Sequence, residues 1–536
     1  MNSTVYEQLK VATAKYASNS FLHIPIHATK SYCDSAINYT YQEFSIAVEE
    51  VRTIYQQAGY GAGHRIALVL ENRAEFFIHF FALNGLGVCA VPVNADFVRD
   101  EMTYLLDDSD VSLIVILNKY QAKVEEAEAS IDREISIVCI DGLQELPVPP
   151  VVDESKITKG IKADATVLYT SGTTGKPKGC VISNEFFYCV GEWYLGIGGY
   201  CKIDPGVDRL ITPLPVFHTN ALVWSMMAML MSGGCVIQLD RFHSSTWWDS
   251  VRDSEATILH FLGVMPAMLL NLPETENDLH EQIKFGLGAG VEPDSHAHFE
   301  KRFGFPLIEG WAMTETGSGF CFMSHEGPRH IGSRCMGKAT DEMEYRIVDE
   351  NNHDVTQGEL LVRRKGDDPA YGFFTEYYKN PQATEEAWKG GWFHSGDVVR
   401  EGEDGSVYFV ERKKNIIRRS GENIAAAEVE SVLMTSPLID NCAVAPVPDS
   451  IREEEVAACI VLNSDRSASK EIAEELLRHC FEKLSYYKAP GYIIFVDALP
   501  VTSTQKVQRG ELRKLCLKLI NSEQSVDCRH LKKKPS

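Results

Sequence analysis

Long apolar runs, paired cysteines and an excess of positive charge are all missing from this chain of 536 residues. The longest apolar region, residues 76–93, is interrupted by His79, Asn84 and two glycines, which predicts no transmembrane segment. Residues 1–10 show no apolar core behind a basic start, so we expect no signal peptide and a cytoplasmic protein. Lys and Arg number 52 against 75 Asp and Glu, and the formal net charge of −23 argues against nucleic acid as a partner.

The fourteen cysteines are scattered along the chain and form no Cys-x-x-Cys pair. In a chain of this size that spacing predicts buried reduced thiols and argues against a disulfide framework or a cysteine metal site. A hydrophobic content of 44% and a charged content of 24% are typical of a globular protein. Because 536 residues are too many for one ordinary core, we expect two or more domains.

Short apolar runs alternate with helical periods through the first 400 residues. Residues 65–70, 89–93 and 112–117 are predicted strands, and residues 75–86 form a predicted helix between the first two. This alternation indicates βαβ units. The predicted fold class is therefore α/β, with a large N-terminal domain of mostly parallel sheets and flanking helices.

The pattern changes near residue 411, where a strongly basic stretch follows a predicted strand. A compact α+β pattern comes next, with helices predicted at 425–434 and 470–484 and strands at 441–446, 456–462 and 492–496. We predict a large domain at 1–411 and a small mobile domain at 412–536, joined by a hinge. Residues 527–536 carry one His, one Arg and three Lys, and we expect them to form a solvated end.

The segment 169–179 reads Tyr-Thr-Ser-Gly-Thr-Thr-Gly-Lys-Pro-Lys-Gly and directly follows an apolar run. Its glycines, Ser and Thr hydroxyls and two lysines suit the wrapping of a polyphosphate by backbone amides and positive charge. It is not a Walker loop, because only two residues separate Gly172 from Gly175 and Pro177 follows Lys176. A phosphate loop of another kind is predicted.

This segment closely resembles the signature of the adenylate-forming enzymes, which include acyl-CoA synthetases, firefly-type luciferases and the adenylation domains of peptide synthetases. The resemblance covers nearly the whole chain, since further motifs follow in the family order. It implies the two-domain adenylate-forming fold and an ATP site. Its implied nucleotide ligands in the first motif are Thr170, Ser171, Gly172, Thr173, Thr174, Gly175 and Lys178.

Two further motifs resemble the family's adenine and magnesium sites. The glycine-rich segment 286–290 fails as a dinucleotide fingerprint, because its third glycine comes one residue early, and in the family this loop runs along one face of adenine. Trp311 stands where an aromatic ring stacks on adenine, Thr314 matches a phosphate ligand, and Glu315 matches the Mg²⁺ ligand. The resemblance assigns the nucleotide to Gly288, Ala289, Gly290, Trp311, Ala312, Met313 and Thr314.

The ribose motif occupies residues 392–397, where Ser395 replaces the family's Thr. A single carboxylate accepts both ribose hydroxyls well, so the resemblance gives this role to Asp397. Arg412, fifteen residues later, matches a second ribose contact. Near it, Lys414 matches the hinge residue whose torsions change as the small domain rotates.

The small domain carries two motifs. Gly421 and Glu422 match the segment that meets the pantetheine arm of CoA in the CoA ligases of this family. Lys506 matches the adenylating lysine, although Gln505 replaces the glycine that usually precedes it and makes the local turn less regular.

The acyl pocket is implied by His218, Gly288 and Ala312, where Ala312 replaces a glycine and its methyl group favours a short or medium acyl chain. Segments 91–94 and 448–454, together with 418–423, resemble the bacterial crotonobetaine/carnitine-CoA ligases, but most of them lie outside the pocket. A betaine-type acid would need an aromatic cage or a carboxylate for its cation. Candidates for such a cage are Trp193, Tyr194, Phe217 and Trp224.

The resemblance implies an ATP-dependent ligase that joins a small-molecule carboxylic acid to CoA through an acyl-adenylate, with ATP, Mg²⁺ and CoA as cofactor and co-substrates. Lys506, Thr170 and Glu315 are its implied catalytic residues. Three alternatives stay open: a stand-alone enzyme that loads an acyl or amino acid onto a carrier-protein thiol, a luciferase-like oxidation, and a non-catalytic binding protein. The presence of Lys178 and Asp397 with the catalytic set argues against the last. A homo-oligomer also stays open.

Overall fold

The computed structural model describes residues 4–170, 176–279, 282–291, 293–317, 321–349, 351–412, 416–464, 466–500, 507 and 509–533. The chain divides into two compact units. The first comprises the residues up to Ala95, with Leu106–Tyr169 and Gly179–Val410, and the second comprises Asp96–Leu105, Thr170–Lys178 and Glu411 onward. The predicted site residues outside the described part are Ser171, Gly172, Thr173, Thr174, Gly175, Lys414 and Lys506, and the side chain of Arg412.

The strands of the first unit, including those that end at its borders, form two sheets. In chain order they are β1 Ser20–Ile24, β2 Ile37–Thr40, β3 Arg65–Val69, β4 Cys89–Pro92, β5 Leu113–Ile116, β6 Ser136–Cys139, β7 Asp164–Thr170, β8 Lys178–Ser183, β9 Arg209–Thr212, β10 Cys235–Gln238, β11 Ile258–Leu262, β12 Phe285–Ala289, β13 Leu307–Trp311, β14 Phe322–Met323, β15 Cys335–Ala339, β16 Met343–Val348, β17 Gln357–Arg364, β18 Glu376–Tyr377, β19 Phe393–Glu401 and β20 Val407–Arg412.

Up to residue 387, most helices connect two parallel strands along the chain. They are α1 Val5–Tyr16, α2 Ile26–Thr29, α3 Tyr41–Ala58, α4 Ala74–Asn84, α5 Arg99–Asp108, α6 Gln121–Glu128, α7 Asn184–Gly196, α8 Met226–Ser232, α9 Trp247–Asp253, α10 Val264–Leu270, α11 Pro293–Phe303 and α12 Pro381–Ala387. Short 3₁₀ turns occur at Asn118–Tyr120, Ile140–Glu145, Glu154–Lys156, Gly160–Lys162, Gly199–Cys201 and Lys389–Gly391, and a π-helical turn at Asn220–Ser225.

The smaller sheet runs in the order β18-β8-β7-β4-β3-β5-β6, and the pairs from β7 to β6 are parallel where their register is defined. The longest apolar region of the sequence forms α4 and β4, and all residues from Phe76 to Asn84 are buried in this unit. A helix that is apolar all round is typical of a protein core. In the described residues, no helix is long and apolar enough to cross a bilayer.

The larger sheet runs in the order β16-β17-β19-β20-β15-β14-β13-β12-β11-β9-β10-β1-β2. From β13 to β1 its neighbours pair in parallel, whereas the pairs β13–β14, β14–β15, β15–β20, β16–β17 and β17–β19 are antiparallel. The α/β class with mostly parallel sheets is confirmed, and the antiparallel half is an addition that the sequence pattern did not indicate. Parallel β11, β12 and β13 end at one edge, the usual place for a ligand site in such sheets.

The second unit is a two-sided α+β structure. It contains β21 Ile416–Arg419, β22 Glu422–Ala425, β23 Ile439–Asp449, β24 Glu453–Leu462, β25 Tyr492–Phe495 and β26 Ser525–Asp527, with α13 Ala426–Leu433, α14 Lys470–Lys483, α15 Arg509–Leu519 and a 3₁₀ turn at Arg529–Leu531. Alternate residues of β23 and β24 face opposite layers, because strand side chains alternate. One layer contains α13 and α14, and the other contains α15.

The expectation of a solvated end after residue 527 is wrong for Lys532. Residues Ser525–Asp527 form β26 beside β25, and the Arg529–Leu531 turn follows. The side chain of Lys532 has 0% exposed surface, whereas Lys533 is exposed. The buried carboxylate of Glu455 explains why Lys532 is buried, since burial of an amine is tolerated only when a partner accepts its hydrogen bonds.

The cysteines behave as small apolar residues. All fourteen are free thiols, and all but Cys33 and Cys139 are buried, which confirms the prediction of buried thiols. Burial raises the pKa of the Cys89 thiol to about 12, although Arg65 opposes the shift. The Cys89 thiol therefore stays protonated and unreactive at neutral pH.

Candidate active site

Two glycines of the predicted adenine loop, Gly288 and Gly290, lie at the carboxyl end of β12, and Gly263 directly follows β11. A Cβ on Gly288 would lie 2.3 Å from the carbonyl oxygen of Phe261, and one on Gly263 would lie 1.6 Å from that of Gly290. Gly290 also has a φ of +79°, which side chains rarely adopt. Backbone contact between the strands therefore requires these glycines.

A buried carboxylate holds the loop after β12 in place. The backbone N–H of Val291 donates to Glu309 Oε1 at 3.0 Å, and Glu309 lies on β13. His296 of α11 sits on the other side, with Nδ1 3.4 Å from Glu309 Oε2 and Nε2 3.1 Å from Glu300 Oε1. Burial lowers the pKa of His296, but the nearby carboxylates of Glu300 and Glu309 outweigh burial and raise the pKa to about 9. The protonated imidazole thus links α11 to the strand that carries Trp311.

This raised pKa predicts a pH-dependent stability. A histidine whose folded-state pKa rises from 6.5 to about 9 contributes stability that is complete below pH 6.5 and is lost as the pH rises through 9. We expect His296→Gln to lower the free energy of unfolding by about 1–3 kcal/mol at pH 6 and by much less at pH 9.5. Thermal unfolding of both proteins across this range measures the difference. His298→Gln, at an exposed position of the same helix, is the control, and a pH-independent gap would contradict the assignment.

The predicted adenine and ribose residues are in direct contact. Trp311 Nε1 donates to Asp397 Oδ2 at 2.8 Å, although 86 residues separate them, and both side chains are buried. The Ser395 hydroxyl donates to the Leu360 carbonyl at 2.6 Å and accepts from the Asp397 N–H at 3.1 Å. Residue 395 therefore uses its hydroxyl, which Ser and Thr have in common, to connect β19 to β17 and to orient Asp397.

Glu315, the predicted Mg²⁺ ligand, is held by a tyrosine that the sequence did not indicate. Tyr377 of β18 donates its hydroxyl to Glu315 Oε1 at 2.6 Å, and the Phe374 N–H donates to the Glu315 carbonyl at 2.9 Å. Burial and the Glu315 carboxylate both raise the pKa of Tyr377, so its proton stays on the tyrosine. A single oriented carboxylate fits Mg²⁺, which is usually bound by one or two carboxylates together with substrate phosphates.

The other residues of that motif lie in a short turn. Met313 donates its N–H to Thr316 Oγ1 at 2.8 Å, and Thr316 is completely buried. Ala312 and Thr314 are half-buried just beyond the end of β13. The turn thus places Thr314 and Glu315 next to each other, after the strand that carries Trp311.

His218 precedes a π-helical turn that a second histidine supports. His218 is half-buried against Phe217, and the π-helical turn Asn220–Ser225 follows it. His260 of β11 is buried, with Nδ1 2.7 Å from both Asn220 Oδ1 and Ser225 Oγ. Turns of this type often occur at functional sites.

The same network includes one of the aromatic residues considered for a cage. The Tyr194 hydroxyl lies 2.7 Å from His260 Nε2, and the two rings stack with centroids 5.8 Å apart. Burial lowers the pKa of His260 to about 3, so the ring is neutral, and the network assigns its proton to Nδ1. Tyr194, whose side chain is completely buried, contacts this histidine through both its hydroxyl and its ring.

The second unit contains the remaining described site residues. The Thr170 hydroxyl donates to the Lys178 carbonyl over 3.5 Å, so the two ends of the predicted phosphate loop lie together. Ser420 and Gly421 have φ values of 51° and 84° and form the two-residue turn between β21 and β22. Positive φ at both positions is typical of a type I′ hairpin turn, which explains the glycine. Glu422 begins β22.

Comparisons with known proteins show which family the chain belongs to. The AMP-binding enzyme family profile matches residues 25–374, and the profile of the AMP-binding enzyme C-terminal domain matches residues 428–506. The chain belongs to the AMP-binding enzyme family. It is an adenylate-forming ligase of the acyl-CoA synthetase group, whose members use ATP, Mg²⁺ and CoA.

Similar proteins include several CoA ligases. The crotonobetaine/carnitine–CoA ligase of Escherichia coli O45:K1 (strain S88 / ExPEC) is 29% identical over 514 residues, which cover 91% of this chain and 96% of that protein. The o-succinylbenzoate CoA synthetase of Bacillus subtilis, bound with the product analogue OSB-NCoA, has a TM-score of 0.79 at 25% identity and covers 95% of this chain and 98% of its own. The amide bond synthetase of Marinactinospora thermotolerans, with a TM-score of 0.80, 19% identity and coverage of 96% and 99%, supports the fold alone.

Proposed function

We propose that this enzyme is an ATP-dependent acyl-CoA ligase that activates a carboxylic acid as an acyl-adenylate, releases pyrophosphate, and then passes the acyl group to CoA with release of AMP. The observation that supports it best is the 2.8 Å contact between Trp311 and Asp397. These two residues come from separate motifs assigned to the two halves of adenosine. Their contact is the arrangement that a single nucleotide site needs.

In the first step a carboxylate attacks the α-phosphate of ATP, and the main barrier is the meeting of two anions. Asp397 would fix the ribose, Thr314 would donate to a phosphate oxygen, and Lys506 would donate to the oxygens on which charge grows. Mg²⁺, when held by Glu315, would supply further neutralisation of the phosphates. Tyr377 would keep the Glu315 carboxylate oriented for that role.

In the second step the CoA thiol attacks the acyl carbonyl and AMP leaves. This step needs mainly positioning of the thiol. We propose that the β21–β22 hairpin, with Gly421 in its turn and Glu422 directly after it, meets the pantetheine arm. Rotation of the small domain, residues 412–536, about Lys414 would exchange this hairpin for Lys506 between the two steps.

We propose a short, medium-length or betaine-type acid as the substrate. The methyl group of Ala312 makes the proposed pocket shallower, and the similarity to the crotonobetaine/carnitine–CoA ligases favours a betaine. His218 would line the pocket, with the π-helical turn held by His260 behind it.

A pyrophosphate-release screen tests the proposal. The purified protein is given ATP, Mg²⁺ and a panel of short, medium, aromatic and betaine-type acids, with and without CoA. We expect release with at least one acid and a CoA thioester when CoA is present. Pyrophosphate exchange without any CoA product would favour loading of a carrier-protein thiol, and no release with any acid would contradict the adenylation chemistry.

Because Trp311 donates a hydrogen bond to Asp397, a change of the tryptophan should also weaken ribose binding by the aspartate. We expect Trp311→Phe to keep an aromatic ring for adenine but to leave the buried aspartate without its indole donor, which raises the KM for ATP about 10-fold. Kinetics of pyrophosphate release against ATP concentration measure this. Trp248→Phe, a matched change on α9 where the indole packs against Phe303, should leave the KM within about twofold. Equal effects of both changes would contradict the assignment of Trp311 and Asp397 to the nucleotide site.

A further inference from the structure

The segment Cys528–Lys532, which we call the terminal clamp, ends in a buried lysine. Lys532 Nζ donates to Glu455 Oε1 at 2.5 Å, and neither side chain has exposed surface. Room for the carboxylate depends on Gly491, since a Cβ there would lie 2.3 Å from Glu455 Cγ. The chain thus builds a closed site for a lysine close to its last described residue.

Glu455 also binds β21, the first strand of the β21–β22 hairpin that is proposed to meet the pantetheine arm. Arg419, the last residue of β21, places Nε 2.8 Å from Glu455 Oε2, and its side chain is 2% exposed. Burial lowers the pKa of Lys532 to about 7, with Glu455 opposing and Arg419 and Arg452 adding to the shift. In either protonation state the amine donates to Glu455. One carboxylate therefore joins the terminal clamp to the residue just before the Ser420–Gly421 turn.

A second set of contacts connects the clamp to the same turn. Arg529 Nη1 donates to Asp449 Oδ2 at 2.9 Å, and Asp449 Oδ1 accepts from the N–H groups of Ile451 and Arg452 at 3.0 Å. Arg452 in turn accepts the Ser420 N–H at its carbonyl at 3.0 Å and donates from Nη1 to Ser420 Oγ at 3.4 Å. The clamp thus reaches both Arg419 and Ser420 by separate contacts.

We propose that the terminal clamp is a positioning element for acyl transfer to CoA, acting through Glu455 and Asp449 on the Ser420–Gly421 turn. This inference rests on the proposed function, in which that turn meets the pantetheine arm. Arg509, three residues after Lys506 in the sequence, begins α15 and pairs with Glu430 of α13. Loss of the clamp should therefore affect the second half-reaction and spare the first.

The test compares the two half-reactions in the full-length protein. Lys532→Met removes the amine and leaves Glu455 paired with Arg419, so the buried charge stays compensated. Lys533→Met, at the exposed neighbour, is the matched control. Adenylation is followed by ATP–pyrophosphate exchange with an acid from the screen, and acyl transfer by thioester formation from supplied acyl-adenylate and CoA.

We expect Lys532→Met to lower kcat/KM for CoA in acyl transfer about 10-fold or more, because small displacements of positioning groups are costly, while exchange stays within about twofold. Arg529→Gln alters a partly exposed contact and keeps the buried pair, so it serves as a second variant if Lys532→Met is poorly folded. We expect Arg529→Gln to lower acyl transfer more weakly than Lys532→Met does, and to leave pyrophosphate exchange nearly unchanged. Equal loss in both half-reactions, or no difference between Lys532→Met and Lys533→Met, would overturn the proposal. If the wild-type protein shows no ATP–pyrophosphate exchange with any acid, the proposed ligase activity itself is contradicted.

Discussion

Lys506→Ala should lower ATP–pyrophosphate exchange about 10²–10³-fold and leave thioester formation from supplied acyl-adenylate nearly unchanged. The amine is expected to donate to phosphate oxygens only while negative charge accumulates on them, so its loss acts on the first transition state. Helix α15 follows Lys506 in the sequence and is held by an ion pair. Arg509, three residues further on, donates to both oxygens of Glu430 and also to the Val444 carbonyl at 3.0 Å.

The control for this prediction is another lysine of the same region. Lys514 is exposed on α15, where it pairs with Glu511, and Lys514→Ala should leave both half-reactions within about twofold. Quench-flow or isotope-exchange assays of each half-reaction on one protein preparation supply the comparison. An equal loss of both steps in Lys506→Ala would contradict the use of different faces of the small domain in the two steps.

Glu315→Gln should lower pyrophosphate exchange about 10²-fold or more and abolish its response to Mg²⁺. The substitution keeps the size of the side chain and an oxygen that accepts the Tyr377 hydroxyl, so the local structure should be preserved. It removes the negative charge that a hard cation requires. Titration of exchange activity with Mg²⁺ is the measurement.

Two companion variants sharpen this test. Glu376→Gln changes an exposed carboxylate on the same short strand as Tyr377 and should have almost no effect. Tyr377→Phe removes the donor to Glu315 but not the carboxylate, so it should raise the Mg²⁺ concentration needed for half-maximal activity about 10-fold. Unchanged Mg²⁺ dependence in Glu315→Gln would remove this residue from the metal site.

Local patterns were sufficient for much of the fold and for the family. Strands such as β3 and β5 are short apolar runs, and α4 has a helical length, so their type follows from composition and spacing. The motif that ends in Glu315 could be recognised because its residues are close in sequence. Antiparallel pairs such as β17–β19 were not anticipated, since pairing partners depend on contacts between distant segments.

Several residues that orient the site have no local signal. Tyr377 is 62 residues from Glu315, and His296 meets Glu309 only because α11 packs beside β13. His260 looks like an ordinary residue of an apolar strand until Tyr194 and Asn220 are brought to its two ring nitrogens. Each of these contacts requires the sheets to be assembled first.

Short motifs were sufficient to predict the type of chemistry, because a phosphate loop, a metal carboxylate and a ribose carboxylate each depend on residue types at fixed local spacing. The contacts that orient these groups were decided by the folded chain, which brings Trp311 to Asp397 and buries Lys532 against Glu455. The physical reason is desolvation. A lysine near a chain end is solvated by default, and only a packed carboxylate in a closed space makes its burial favourable.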